Sequence, residues 1–440
     1  TVAGRFFGTP VAAGGAAAVG VIHKTVQAEV GEGATVNAYA KAGTKDSGLA
    51  AYNGTIDARY GGYSDEDTNE AKAAKALQSQ QAMAEDSSSS TDAEKELHVQ
   101  TSSELSGVTV SKERTASAAA DTMHGLSVTA TSEDSVRSVG AGAAAATQQD
   151  GKAFEGAVGV NEIEHTTEAV IDSSAKINTS DKTAQATAGD EQNVRVHAAN
   201  DTYHLAVTGG AALASGTAVG GSADDALITN KTTGSIADSA AVAAKKDVSV
   251  QAENKTVTTA IAAAGAASTQ KQAVAGSVNA DVLQNTVTAS VGKTTVIEAG
   301  GGLDVQAESE NHINTAAGGA AIAKDTGVGA AVNASVTKDE TKAYIDDEAV
   351  VDAAKGVAVQ AVHTNQTLNI AAGLGVSTTG SGGAGSLALD IGIADTEAWI
   401  GKAAKVNQNE AKQKAAAAGQ SVIVKAKDTT TRTALGATLA

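Results

Sequence analysis

The sequence predicts an all-β fold: a parallel β-solenoid, or β-helix, of units of about 54 residues carrying a small helical insertion. Three observations predict it. A Val/Leu-x-Val-x-Ala motif returns at near-constant spacing, the apolar residues alternate with period two, and small residues replace the large apolar side chains of a globular core.

The motif appears first as Leu126-Ser127-Val128-Thr129-Ala130 and then as Val194-Arg195-Val196-His197-Ala198. It returns at Val248, Leu303, Val357 and Val422, with spacings of 68, 54, 55, 54 and 65 residues. A second landmark ends at Ile171, Ile236, Val291, Ile345 and Ile400, as in Thr341-Lys342-Ala343-Tyr344-Ile345. From that residue to the next motif is 12 residues in three units and 22 or 23 in the other two, so two units carry insertions, at 172–193 and 401–421. Val, Ile and Thr dominate the alternating segments, as strands prefer, and Gly, Asn, Asp and Ser punctuate them. Alternation points Val357, Val359 and Ala361 inward and Ala358 and Gln360 outward. A unit of this kind buries its apolar face only by stacking on its neighbours. At roughly 20 to 27 residues per coil, each unit would supply two or more coils, and the stack would reach on the order of 70 to 100 Å.

Residues 1–39 form one further unit, in which Thr35-Val36 stands where Val351 stands later. Residues 40–96 are an insertion. Within it Ser64-Asp65-Glu66-Asp67 can cap a helix, and Asn69–Glu85 is rich in helix formers, so a projecting helix is expected over about 65–85. Residues 97–440 hold the remaining repeats, and Asn407–Ala418 resembles a shorter helix closed by Gly419. The 172–193 insertion reads as a polar loop.

The composition narrows function. There are 440 residues with no Cys, one Pro, two Met, three Phe, six Tyr and one Trp. Absence of Cys excludes a disulfide framework and thiolate metal sites. A net charge of -18 opposes nucleic acid and anionic membrane as partners. No apolar run reaches the roughly 20 residues of a membrane helix, so membrane insertion of this segment is not expected. Thr1 opens the chain without a basic n-region, which reads as a fragment or processed product of something longer.

Catalytic and cofactor chemistry finds no support. The eight histidines, from His23 to His363, form no metal-binding pair, and Arg114, Arg137, Arg195 and Arg432 stand apart. Asp224/Asp225 and Asp346/Asp347 read as solvated turn residues, and Gly380-Ser381-Gly382-Gly383 as a tight turn where glycine supplies positive φ. No catalytic, cofactor or metal residue is expected. An acid cluster beside an aromatic on one solenoid face would favour the alternative of a polysaccharide-degrading enzyme.

The cycle Gly329-Ala330-Ala331-Val332-Asn333, Thr341-Lys342-Ala343-Tyr344-Ile345, Val357-Ala358-Val359-Gln360-Ala361 resembles the repeats of very large bacterial surface adhesins, the leukotoxin-like and filamentous-haemagglutinin-like proteins. The resemblance covers most of 126–440 and, more weakly, 12–39. It implies a secreted passenger, of autotransporter or two-partner type, at the outer membrane surface of a Gram-negative bacterium. The expected function is a structural shaft, with host or bacterial surface receptors or glycans as partners. The open ends of such a stack also offer edges for end-to-end self-association into a filament or surface layer.

Overall fold

A computed structural model describes residues 10–41, 49–60, 114–179, 188–409 and 417–440. The chain divides into two compact units, 57–117 and the remainder. The larger is a parallel β-solenoid, and no helix occurs among the described residues. The segments expected as helices, 65–85 and most of 407–418, lie outside those residues.

In chain order the strands are β1 (Val11–Val30), β2 (Thr35–Val36), β3 (Leu49–Tyr60), β4 (Arg114–Met123), β5 (Gly125–Ala146), β6 (Lys152–Ile171), β7 (Lys176–Ile177), β8 (Asn193–Ala214), β9 (Thr217–Ile236) and β10 (Ala241–Ala244). They continue as β11 (Val248–Ser268), β12 (Gln272–Val291), β13 (Val296–Ala299), β14 (Gly302–Ala323), β15 (Thr326–Ile345), β16 (Val350–Ala353), β17 (Gly356–Ser377), β18 (Ser381–Ile400), β19 (Lys405–Val406) and β20 (Ser421–Leu439). Three six-stranded parallel sheets result. The first is β1-β6-β9-β12-β15-β18, the second β2-β7-β10-β13-β16-β19, the third β5-β8-β11-β14-β17-β20. Outside them, β3 pairs with β4.

One repeat is one coil, not two. A long strand of the first sheet, a short strand of the second and a long strand of the third complete each turn. The two long strands, 20 and 22 residues in the β14–β15 coil, each span about 65 to 75 Å, so length lies along the strands. Each coil adds only about 4.8 Å along the axis, and six stacked rungs advance about 25 to 30 Å. The shorter coil assumed from the sequence fails because alternation persists unbroken through the Gly/Ala stretches. Those stretches are strand, not turn.

The register is strict. Leu126, Val194, Val248, Leu303, Val357 and Val422 form one column, and Val128, Val196, Val250, Val305, Val359 and Val424 the next. Val36 aligns through Ile177, Val242 and Ile297 with Val351, as the repeat predicts. Val357, Val359 and Ala361 are buried while Ala358 and Gln360 are half-buried on the other face. Corners repeat as well. Gly33, Ser174, Ser239, Thr294, Glu348 and Ala403 all take φ between 54° and 66° after the first-sheet strand, a conformation that costs L-residues free energy and suits glycine at only one of the six sites.

Three zones divide each coil. Where the three sheets meet, Val, Ile and Ala form the main core, which includes Ile171, Val196, Ile236, Val250 and Val351. The middle carries buried polar residues described below. At the far end the first and third sheets converge on an interior of alanine, such as Ala144, Ala212, Ala266 and Ala321. Glycine there sets the sheet separation: a Cβ on Gly329 would overlap the Leu374 carbonyl oxygen, and one on Gly375 that of Gly383. Gly382 and Gly383 accordingly lie in β18, and positive-φ glycine among the described residues is confined to Gly33, Gly125, Gly356 and Gly419.

The two short insertions are clamped at both ends. Asn178 Oδ1 accepts from Ala38 N–H at 2.8 Å, and Asn407 Oδ1 accepts from Ala353 N–H at 2.8 Å. At the exits, Gln192 Nε2 donates to the Ala38 carbonyl at 2.5 Å and Gln420 Nε2 to the Ala353 carbonyl at 2.6 Å. These amides satisfy backbone groups that a four-residue second-sheet strand satisfies in the other coils.

Candidate functional site

The chemistry-bearing side chains gather in the middle of the coil, facing inward. Strand alternation places one inward residue of each first-sheet strand in the column Lys24, His165, Asn230, Asn285, Asp339 and Ala394. Facing it, the third sheet supplies Asp134, Thr202, Thr256, Asn311, Asn365 and Thr430, with Ser132, Asn200, Asn254, Ser309, His363 and Asp428 in the inward column beside them. Asn230 Nδ2 donates to Asn285 Oδ1 at 2.9 Å, and Asn285 Nδ2 donates to Asp339 Oδ1 at 3.0 Å. Asn311 ties the sheets together: its Oδ1 accepts from Asn285 at 2.8 Å and its Nδ2 donates to Asp339 at 2.9 Å. Asn200 donates to Asn254 at 2.8 Å. Each step along a ladder is one coil, so these amides lock the stacking register as well as satisfying one another.

Charge closes the spine at both ends. Lys24 Nζ donates to Asp134 Oδ2 at 2.9 Å, and His165 Nε2 lies 3.2 Å from the same carboxylate. Burial nonetheless holds His165 below the usual histidine range. At the other end His363 lies 3.3 Å from Asp339 and 2.7 Å from Asp428. Burial disfavours its charged form, but the two carboxylates outweigh that and leave its pKa raised. Arg432 enters the interior beside it and donates to Asp390 at 2.7 Å.

Nearer the narrow end lie three buried carboxyls poorly matched to their surroundings. Asp224 and Glu155 accept no hydrogen bond from any described residue. Asp281 accepts one, from Asn279 Nδ2 at 2.6 Å. Burial, with Asp225 adding to it, pushes Asp224 up to about 6. Burial alone pushes Glu155 to about 7, and burial beyond what the Asn279 bond offsets takes Asp281 to about 8. Asp224 was expected in a solvated turn; it lies in mid-strand β9 facing inward, with Asp225 facing out. Asp346 and Asp347 do occupy a turn, where Asp347 Oδ1 accepts from Lys402 N–H at 2.7 Å. His204 is fully buried with neither ring nitrogen bonded to any described residue, and burial pushes it down to about 4.

A cavity of about 10 Å³ touches Asp281, Thr258 and Ser335, room for one water. Among the described residues no group of three or more His, Asp or Glu is arranged to hold a metal ion. The interior can fix register and respond to protons.

Outside, two features stand out. Arg195 makes a paired contact with Asp121 at 2.8 Å, and His197 bonds the Asn53 carbonyl at 2.7 Å, so β3 and β4 residues sit on the outward face of β8. On the first sheet, Tyr344 stacks on Trp399 with centroids 4.3 Å apart and an 8° interplanar angle. Beside them Lys342 lies 2.8, 3.4 and 3.7 Å from Glu340, Asp395 and Glu397. This is an acid cluster with an aromatic neighbour, the arrangement an enzyme reading calls for. The three carboxylates share the one Lys342 ammonium on the outward face of the sheet.

Comparison with known proteins adds no relative: no family model, no curated protein and no solved structure matches the chain.

Glu155 yields a sign-determined prediction. Gly142 and Gly210 carry no Cβ and so leave room for its carboxyl, which is 6% exposed. A folded pKa of about 7 against 4.5 favours folding fully below pH 4.5, and that advantage is lost as pH rises through 7. The shift corresponds to roughly 3 kcal/mol. Glu155→Gln is therefore expected to match the parent at pH 4 and to exceed it by up to that amount at pH 8 in denaturant unfolding. A gap that does not change with pH would assign the titration elsewhere.

Proposed function

We propose that this chain is part of the structural shaft of a bacterial cell-surface adhesin, secreted to the outer surface and holding binding features away from the cell. One observation carries the reading: six rungs stack in an unbroken register, and the insertions at 172–193 and 401–421 enter at coil corners, clamped by Asn178/Gln192 and Asn407/Gln420. Such a scaffold tolerates projecting segments without disturbing its columns, and function on rigid scaffolds concentrates in those segments. Surface receptors or glycans are the partners this reading expects. The amide ladders of the interior, Asn230–Asn285–Asp339 and Asn200–Asn254, bond coil to coil, in keeping with a support. Antibodies raised against the purified chain are expected to label intact cells of the source organism, and external protease to remove that label. Labelling that requires lysis would overturn the proposal.

A further inference from the structure

The outward face of the first sheet at the narrow end is apolar across all six coils. Val158, Val278, Val332 and Leu387 stand exposed in one column. Phe154, Val274 and Val328 stand exposed four residues earlier along the strands. Between these two ridges runs a column of Gly15, Gly156, Gly221, Gly276, Ala330 and Gly385. Nothing among the described residues requires these glycines. A Cβ at Gly156, Gly276 or Gly385 would meet no atom within 4 Å, and none of them has positive φ. Glycine inside a strand weakens it, and its usual justification is close approach of another backbone. Here that approach is from outside.

We propose that this face is an interface between two copies of the chain, with a Val/Leu ridge of each copy seated in the glycine groove of the other. The area fits. Five outward positions per strand on six strands cover roughly 900 Å² per copy, so a pair buries about 1,800 Å², inside the standard range for stable dimers. The face is nearly free of charge, with Lys152 at its tip and Asp225 and Glu162 at its polar side, so a chain of net charge -18 can associate here. A lipid surface fits less well. The turns at the tip of the same zone carry Asp150, Lys271, Lys324 and Asp325, which would have to enter hydrocarbon first.

Gly156→Val together with Gly276→Val fills the groove while leaving the monomer unstrained. In sedimentation or light scattering, the parent is expected to be dimeric at micromolar concentration. The double variant is expected to be monomeric, with at least a 100-fold weaker association and an unchanged circular dichroism spectrum. Ile261→Glu, on the outward face of the third sheet, is expected to leave the dimer intact. A parent that stays monomeric to 100-fold higher concentration overturns the proposal. So does a dimer that survives the glycine changes, or one lost only with Ile261→Glu. Monomeric protein that floats with phosphatidylcholine vesicles would assign the face to lipid instead.

Discussion

Val250→Asp is expected to remove several kcal/mol of stability and to unfold the coil that contains it. Val250 has no exposed surface and sits in the main core with Ile236, Val242 and Val291. Val196 lies one coil below and Val305 one coil above, so a carboxylate there would be boxed in by valine within its own column. Along β11 its inward neighbours are Val248 and Ala252, which offer no donor. Burying an unpaired charge costs several kcal/mol, and the residue would take up a proton instead, still leaving polar atoms without partners. The damage does not stay local. Coils 8–9 and 14–15, built from β8/β9 and β14/β15, both lose a stacking partner when the β11/β12 coil frays, and in such arrays much of the stability resides in those interfaces. Thr259→Asp, outward on the same strand, provides the contrast and is expected to cost about 1 kcal/mol or less. Denaturant unfolding followed by circular dichroism separates the two. Equal, small effects would mean that Val250 is not at a sealed stacking position.

Much of this architecture was legible because period-two alternation and a fixed repeat leave few alternatives. Val-x-Val-x-Ala named the inward residues of the third-sheet strands, and the Val36–Val351 equivalence placed the N-terminal unit in the correct rung. Coil size was not legible. A 22-residue strand such as Gly302–Ala323 runs through Ala316-Ala317-Gly318-Gly319, a composition that ordinarily signals a turn. It is strand because Gly and Ala are what two sheets at contact distance permit, and contact distance is a tertiary fact. The polar spine was hidden for a related reason. Asn230, Asn285 and Asn311 look like loop residues until register shows that 54 or 55 residues, or half that, separates hydrogen-bonded partners. Asp224 was misplaced in the same way, since nothing local distinguishes an inward acid from one in a turn. The single available signal was parity: Asp224 and Asp281 fall on the same inward phase as Ile228 and Leu283.

Parity also separates the glycines, and Gly329→Val is the sharpest test of that. Gly329 points inward on β15, where a Cβ would overlap the Leu374 carbonyl oxygen and approach that of Gly319 at 2.6 Å. Both obstacles are backbone, so no rotamer change relieves them; the first and third sheets would have to part. Overpacking a core typically costs about 1–3 kcal/mol, and displacement of two strands places this change at or above the top of that range. Parting the sheets would also open the alanine interior around Ala321 and Ala323 to water. Gly276 differs only in facing outward, where nothing lies within 4 Å, and valine favours strand over glycine. Within the monomer, the same Gly→Val exchange is thus expected to cost a few kcal/mol at one site and nothing, or a slight gain, at the other, so the comparison is made at concentrations too low for association. Measured thermal midpoints of the two single variants decide it. If Gly329→Val melts no lower than Gly276→Val, the sheets are not held at glycine distance, and the narrow end owes its composition to something other than close packing.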